Sequence, residues 1–260
     1  VKQSLNAVIH DLRDRARAEA ASADLPDGPF RGVPTLLKDL WAHYAGQTLS
    51  NGNVALRDAA PVSERDTTLV ARMRTAGFVV VGRTNSPEFG ALPTTEPTAW
   101  GATKNPWDTT RSPGGSSGGA AAAVASGMVP IAHASDGGGS IRIPAASCGL
   151  VGLKPSQGRI TLGPFRDESN LGVELCVSRS VRDTAALLDA VRGPGVGDVV
   201  IAPERWPHFL ACYLDAGGRA RVWGTTFEHG AEDVAPRARL EQAMGALEER
   251  LNGELLERLQ

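Results

Sequence analysis

Apolar positions along this chain fall into two alternating patterns: helical spacings of three and four, and short unbroken runs. Leu5, Val8, Ile9, Leu12 and Ala16 recur at helical spacing, which predicts an amphipathic helix over residues 4–20. A polar stretch with Pro and Gly at 22–30 reads as a loop into a short strand near 32–37. Asp66 stands as the N-cap of a helix with Leu69, Val70 and Met73 on one face and Gly77 as its stop. Phe78, Val79, Val80 and Val81 then form a buried strand that opens into Gly82-Arg83-Thr84-Asn85. A second helix–strand pair follows at 120–126 and 129–134. Ser180 caps a helix through Val191 that turns Val181, Ala185, Leu187, Leu188 and Val191 inward. Helices alternating with short apolar strands predict an α/β protein, a layered sheet covered by helices.

Beyond residue 200 the pattern changes. Residues 202–234 show no period, and their aromatic residues (Trp206, Phe209, Tyr213, Trp223, Phe227) are scattered. Leu240, Met244, Leu247, Leu251, Leu255 and Leu259 then mark a helix over about 236–259 that docks on the core. Gly253 weakens the rival coiled-coil reading by about 1 kcal/mol of helix propensity. Residues 1–200 are therefore expected to form one core, with 201–260 as a divergent or shortened segment.

Composition narrows the function. The 260 residues carry a net charge of −2, so no long-range field draws the protein to nucleic acid or anionic lipid. No apolar run approaches the ~20 residues that cross a bilayer, and the N-terminal residues lack a signal-peptide centre. Cys148, Cys176 and Cys212 make no metal-ligand or redox spacing, and their odd number argues against a disulfide framework. The expectation is a cytoplasmic protein without metal or cofactor, acting on a small molecule; a homodimer stays open.

Two serine-glycine clusters carry the candidate chemistry: Gly114-Gly115-Ser116-Ser117-Gly118-Gly119 and Gly137-Gly138-Gly139-Ser140. Three glycines before Ser140 let successive backbone N–H groups converge on an anionic oxygen beside its hydroxyl, as acyl transfer needs. The bland alternative is a flexible loop with an incidental serine, but apolar segments on both sides suggest the loop is buried. Gly118-Gly119-Ala120 lacks the lysine of a phosphate loop. The pattern Gly114-x-Ser116-x-Gly118 also fits a hydrolase nucleophile elbow. That motif should follow an apolar strand, whereas residues 105–113 are polar and broken by proline, and it needs His133, His208 or His229 as base. Lys38 ends the largely apolar run Val33-Pro34-Thr35-Leu36-Leu37. Lysines are mostly solvated; one that ends a buried strand is costly unless paired or neutral, and a neutral amine can accept a serine proton.

Taken together, these clusters resemble the amidase signature family. The resemblance rests on both serine clusters, on Ile141-Arg142 with Pro144-Ala145, and on Gly32-Val33-Pro34 with Lys38-Asp39. Gly82-Arg83-Thr84-Asn85-Ser86-Pro87-Glu88-Phe89 and Cys148-Gly149-Leu150-Val151-Gly152-Leu153-Lys154-Pro155 belong to it too, and it spans roughly residues 5–200. It implies an α/β/α layered core with a mixed central sheet covered by helices, incomplete on its C-terminal side because family members are longer. It also implies a Ser–cisSer–Lys triad that cleaves amides: Ser140 as nucleophile, Ser116 as relay on a cis peptide to Gly115, and Lys38 as base. The N–H groups of Gly137, Gly138, Gly139 and Ser140 would hold the oxyanion, Asp136 and Arg142 would fix the loop, and Ser117 would support it by hydrogen bonding. Within the family, residues 94–103 are similar to enzymes that open linear or cyclic aliphatic amides, nylon-oligomer hydrolases among them. The alternatives are an esterase or amidotransferase subunit with the same chemistry, and a shortened, non-catalytic relative.

Overall fold

The computed structural model describes residues 5–166 and 171–203. The helix expected over 236–259, Cys212, His208 and His229 lie outside them.

Six strands and six helices build the described core. Strand β1 (Val8–Asp11) precedes helix α1 (Arg13–Ala21), and β2 (Pro34–Lys38) precedes α2 (Val54–Ala59) and α3 (Thr68–Thr75). Strand β3 (Val79–Thr84), helix α4 (Gly118–Ala125), strand β4 (Ile131–Asp136) and helix α5 (Arg142–Cys148) follow. The short β5 (Val151–Gly152), β6 (Val173–Ser178) and α6 (Val181–Val191) complete it. The strands form two three-stranded sheets, in the orders β1-β3-β2 and β4-β6-β5. Only β2 and β3 run parallel; the other three pairings are antiparallel. The α/β character with mixed strand directions is as expected, and the strands are hydrogen-bonded in two ladders.

The two sheets approach each other along their edges β2 and β4, which share no ladder pair among the described residues. Side chains link them instead. Thr35 Oγ1 donates to the Ile131 carbonyl at 3.1 Å, and the Lys38 N–H donates to His133 Nδ1 at 3.3 Å. Helix α4 packs across this seam, touching strands of both sheets, and all its residues from Gly118 to Val124 are buried. A helix apolar on every side belongs in a core. Its N-terminus comes so close to the ends of β1 and β3 that a Cβ on Gly119 would lie 2.5 Å from the Asn85 nitrogen and 2.7 Å from the Ala7 oxygen. Strands β4 and β6 are buried at every position, as a sheet covered on both faces requires.

Several expectations need correction. Residues 8–11 are a strand and the helix begins only at Arg13. The spacing of Leu5, Val8, Ile9 and Leu12 suits a helix, but Val8, His10 and Asp11 pair with β3, with Ile9 at a break in the register, and that pairing overrides local periodicity. The cap of α3 is Thr67, whose hydroxyl accepts the Val70 N–H; Asp66 instead accepts the Ala45 N–H at 2.7 Å and pairs with Arg74 at 2.8 Å. Val181 opens α6 and is 41% exposed, because the first turn points past the core. The Ser180 cap itself is present, its side chain accepting the Asp183 N–H. Helices α2 and α5 and strands β5 and β6 had no reading in the sequence.

Candidate active site

Lys38 is the last residue of β2, and its side chain is completely buried. Its Nζ lies 2.7 Å from Ser116 Oγ and 2.9 Å from Ser135 Oγ. An uncharged amine has two N–H bonds and one lone pair, so it can donate to one hydroxyl and accept a proton from the other. Burial pushes this amine down to about 7 from an ordinary 10.5; the Glu174 and Asp136 charges pull it back up, and Arg166 adds to the lowering. At neutral pH a large share of Lys38 is therefore a base.

Ser116 sits on the loop that enters α4, and the Gly115–Ser116 peptide bond is cis. Thr95 braces this loop: its hydroxyl donates to the Gly114 carbonyl and accepts the Gly118 N–H. Ser117 occupies the cap position of α4 but spends its hydroxyl on β4, donating to the Ser135 carbonyl at 3.2 Å and accepting the Ser135 N–H at 3.3 Å. Asp39, next to the lysine, accepts the N–H groups of Ser50 and Gly52, and the Ser50 hydroxyl also bonds it. Ser50 Oγ in turn accepts the Trp100 ring N–H at 2.9 Å, which ties residues 94–103 to the lysine strand.

Ser140 follows β4 on the glycine loop. The loop is shaped by Asp136, the last residue of β4, which accepts the N–H groups of Gly139, Ile141 and Arg142 and a two-pronged contact from the Arg142 guanidinium at 3.0 Å. Burial would raise the Asp136 carboxyl, yet these hydrogen bonds outweigh it and hold the carboxyl below its usual value. Gly139 adopts φ +129°, where a Cβ would lie 2.6 Å from Ile143 Cδ1, so the turn requires glycine. Contrary to the expectation of a buried loop, Gly137 and Gly138 are exposed and only Gly139 is covered. The Gly139 N–H is committed to Asp136, which removes it from the expected set of four oxyanion donors.

The structure thus joins Lys38 directly to Ser116, and joins the two serine loops through the Ser117 N–H, which donates to the Ser140 carbonyl at 3.2 Å. It does not join the two hydroxyls: among the described residues Ser140 Oγ has no hydrogen bond to Ser116. Contacts of this kind are often loose without substrate. The elbow alternative finds no strand ahead of Ser116, and His133 Nδ1 is occupied by the Lys38 N–H.

Sequence reasoning missed Ser135, Glu174 and Arg166, and weighed His133 only as a base for the elbow alternative. Strand periodicity of two places His133 and Ser135 on one face of β4, and both meet Lys38. Glu174 was visible as a lone charge within the apolar run Val173-Glu174-Leu175-Cys176-Val177.

Comparison with known proteins identifies the family. The Amidase family model matches residues 1–205. The 6-aminohexanoate-cyclic-dimer hydrolase of Paenarthrobacter ureafaciens is 49% identical over 226 residues, 85% of this chain and 45% of that protein. A solved structure of 6-aminohexanoate cyclic dimer hydrolase superposes with a TM-score of 0.79 at 46% identity, covering 83% of this chain and 45% of the other. A bacterial aryl acylamidase of the amidase signature family gives a TM-score of 0.70 at 38% identity, covering 75% and 42% respectively. The chain therefore spans less than half the length of these relatives.

Proposed function

This chain belongs to the amidase signature family, and we propose that it hydrolyses a carbon–nitrogen amide bond through an acyl-enzyme on Ser140. Neutral Lys38 draws the Ser140 proton through the Ser116 hydroxyl, and Ser140 Oγ bonds to the amide carbon. The N–H groups of Gly137, Gly138 and Ser140 hold the resulting oxyanion. The same relay returns the proton to the nitrogen as the C–N bond breaks. Water then cleaves the acyl-serine, releasing the carboxylic acid and restoring the hydroxyl.

The observation that carries this reading is a lysine with no solvent exposure whose amine lies 2.7 Å from the Ser116 hydroxyl and titrates near neutrality. Similarity to the cyclic-dimer hydrolases favours linear or cyclic aliphatic amides as substrates. The family match over 1–205 supports residues 1–200 as the amidase core and 201–260 as a separate segment. No described helix is long and apolar enough to cross a membrane, and Cys148 and Cys176 are free thiols; both fit the cytoplasmic placement we assign.

A fluorophosphonate probe should label the protein one-to-one, and Ser140→Ala should abolish labelling. A folded protein that takes no label supports the non-catalytic alternative. Ammonia or amine release from a panel of simple aliphatic amides then reads the substrate class.

A further inference from the structure

Beneath the amine lies a buried polar cluster for which the relay gives no role. Glu174 on β6 is 2% exposed and sits opposite Ser135 in the β4–β6 ladder. One carboxylate oxygen meets the Arg166 guanidinium, and the other lies 3.5 Å from His133 Nε2. The other imidazole nitrogen, Nδ1, receives the Lys38 main-chain N–H. A nitrogen that accepts an N–H carries no proton, so the His133 proton resides on Nε2, facing the carboxylate. The imidazole thus lies between Glu174 and the end of β2, with Nδ1 hydrogen-bonded to the Lys38 main chain and Nε2 facing the carboxylate at 3.5 Å without a hydrogen bond. It spans the seam between the two sheets at the residue whose side chain must meet Ser116.

We propose that Glu174 is a positioning residue for Lys38: its carboxylate holds His133 against the lysine main chain and supplies a buried negative charge that keeps the amine basic enough to take a proton. This rests on the reading of Lys38 as the base. The groups around the amine are Glu174 from β6, Asp136 and His133 from β4, and Arg166 from the segment before β6. Asp136 is saturated by Arg142 and three backbone N–H groups. Arg166, being positive, works against the ammonium. Glu174 is therefore the anion on which the lysine's proton affinity depends most. Without it the Arg166 guanidinium would also stand uncompensated, and both changes disfavour the charged amine.

The chain has only four lysines, Lys2, Lys38, Lys104 and Lys154, so Lys38 can be followed directly. In full-length protein labelled with 13C-lysine, its Cε signal is assigned by its loss in Lys38→Ala and titrated by NMR. In Glu174→Gln the midpoint should fall by at least about one pH unit, and the acid limb of fluorophosphonate labelling at Ser140 should move with it. A purely structural role would slow labelling equally at every pH and leave the midpoint in place. That unmoved midpoint, in a Glu174→Gln protein that melts cooperatively, overturns the proposal. Should Glu174→Gln not fold, Glu174→Asp carries the test. It retains the charge one methylene further back, and should lower the midpoint in the same direction by less; no change there is equally fatal. A parent protein that takes no probe at any pH counts against the amidase reading, while the lysine titration still decides the role of Glu174.

Discussion

In the proposed mechanism Lys38 works only while its amine is uncharged, and the burial that lowers that amine is also a stability liability. With its amine near 7, hydrolysis and Ser140 labelling should rise with pH through about 7 and level off above it. Lys38→Met should remove that limb and lower amide hydrolysis by roughly 10³-fold or more. Stability follows the same titration. Between about 7 and the unfolded value of 10.5 the unfolded chain binds a proton that the folded chain does not, so stability should climb as pH rises through that window. Burial holds the Cys148 and Cys176 thiols up at about 12, and they act in the opposite sense above their unfolded value of 9.0. Lys38→Met shares both thiols, so melting curves of the two proteins between pH 7 and 9 isolate the amine: the parent gains and the variant does not. Much of this site was legible in the sequence, because glycines around a serine and a lysine ending an apolar run each contradict a simpler role. Ser135 and His133 were not, because neither residue type is unusual in a strand; only their shared face, fixed by pairing with β6, brings them to the lysine.

Among the elements, α4 is the one the proposed site leans on most. It starts two residues after Ser116 and crosses both sheets, and its N-terminus nests against the ends of β1 and β3. Gly119→Ala would place a methyl against the main chain at Asn85 and Ala7, where no flexible side chain can yield. It should cost about 1–3 kcal/mol in chemical denaturation and slow Ser140 labelling as Ser116 is pushed outward. The alternation of helix and strand was readable wherever a run was uniform, as in β3 and α6. Segment 8–11 was not readable, since four residues with mixed spacing are decided by the strand beside them. Strand β6 escaped notice for the opposite reason: Glu174 and Ser178 interrupt its apolar run, although both are buried and partnered in the fold.

For the molecule as a whole, the decisive feature is that the proposed base and nucleophile belong to different sheets. Lys38 closes the first sheet at β2; Asp136 and the Ser140 loop leave the second at β4. Two strands hydrogen-bonded as a ladder resist sliding through every rung. Here the Thr35 hydroxyl and the His133 ring stand in for that ladder. Slippage of one half against the other by a single step, about 3.3 Å, would carry the amine out of reach of Ser116 while every helix stayed intact. Gentle heating should therefore silence the proposed hydrolysis before the protein melts, with turnover falling several degrees below the loss of far-ultraviolet circular dichroism and returning on cooling.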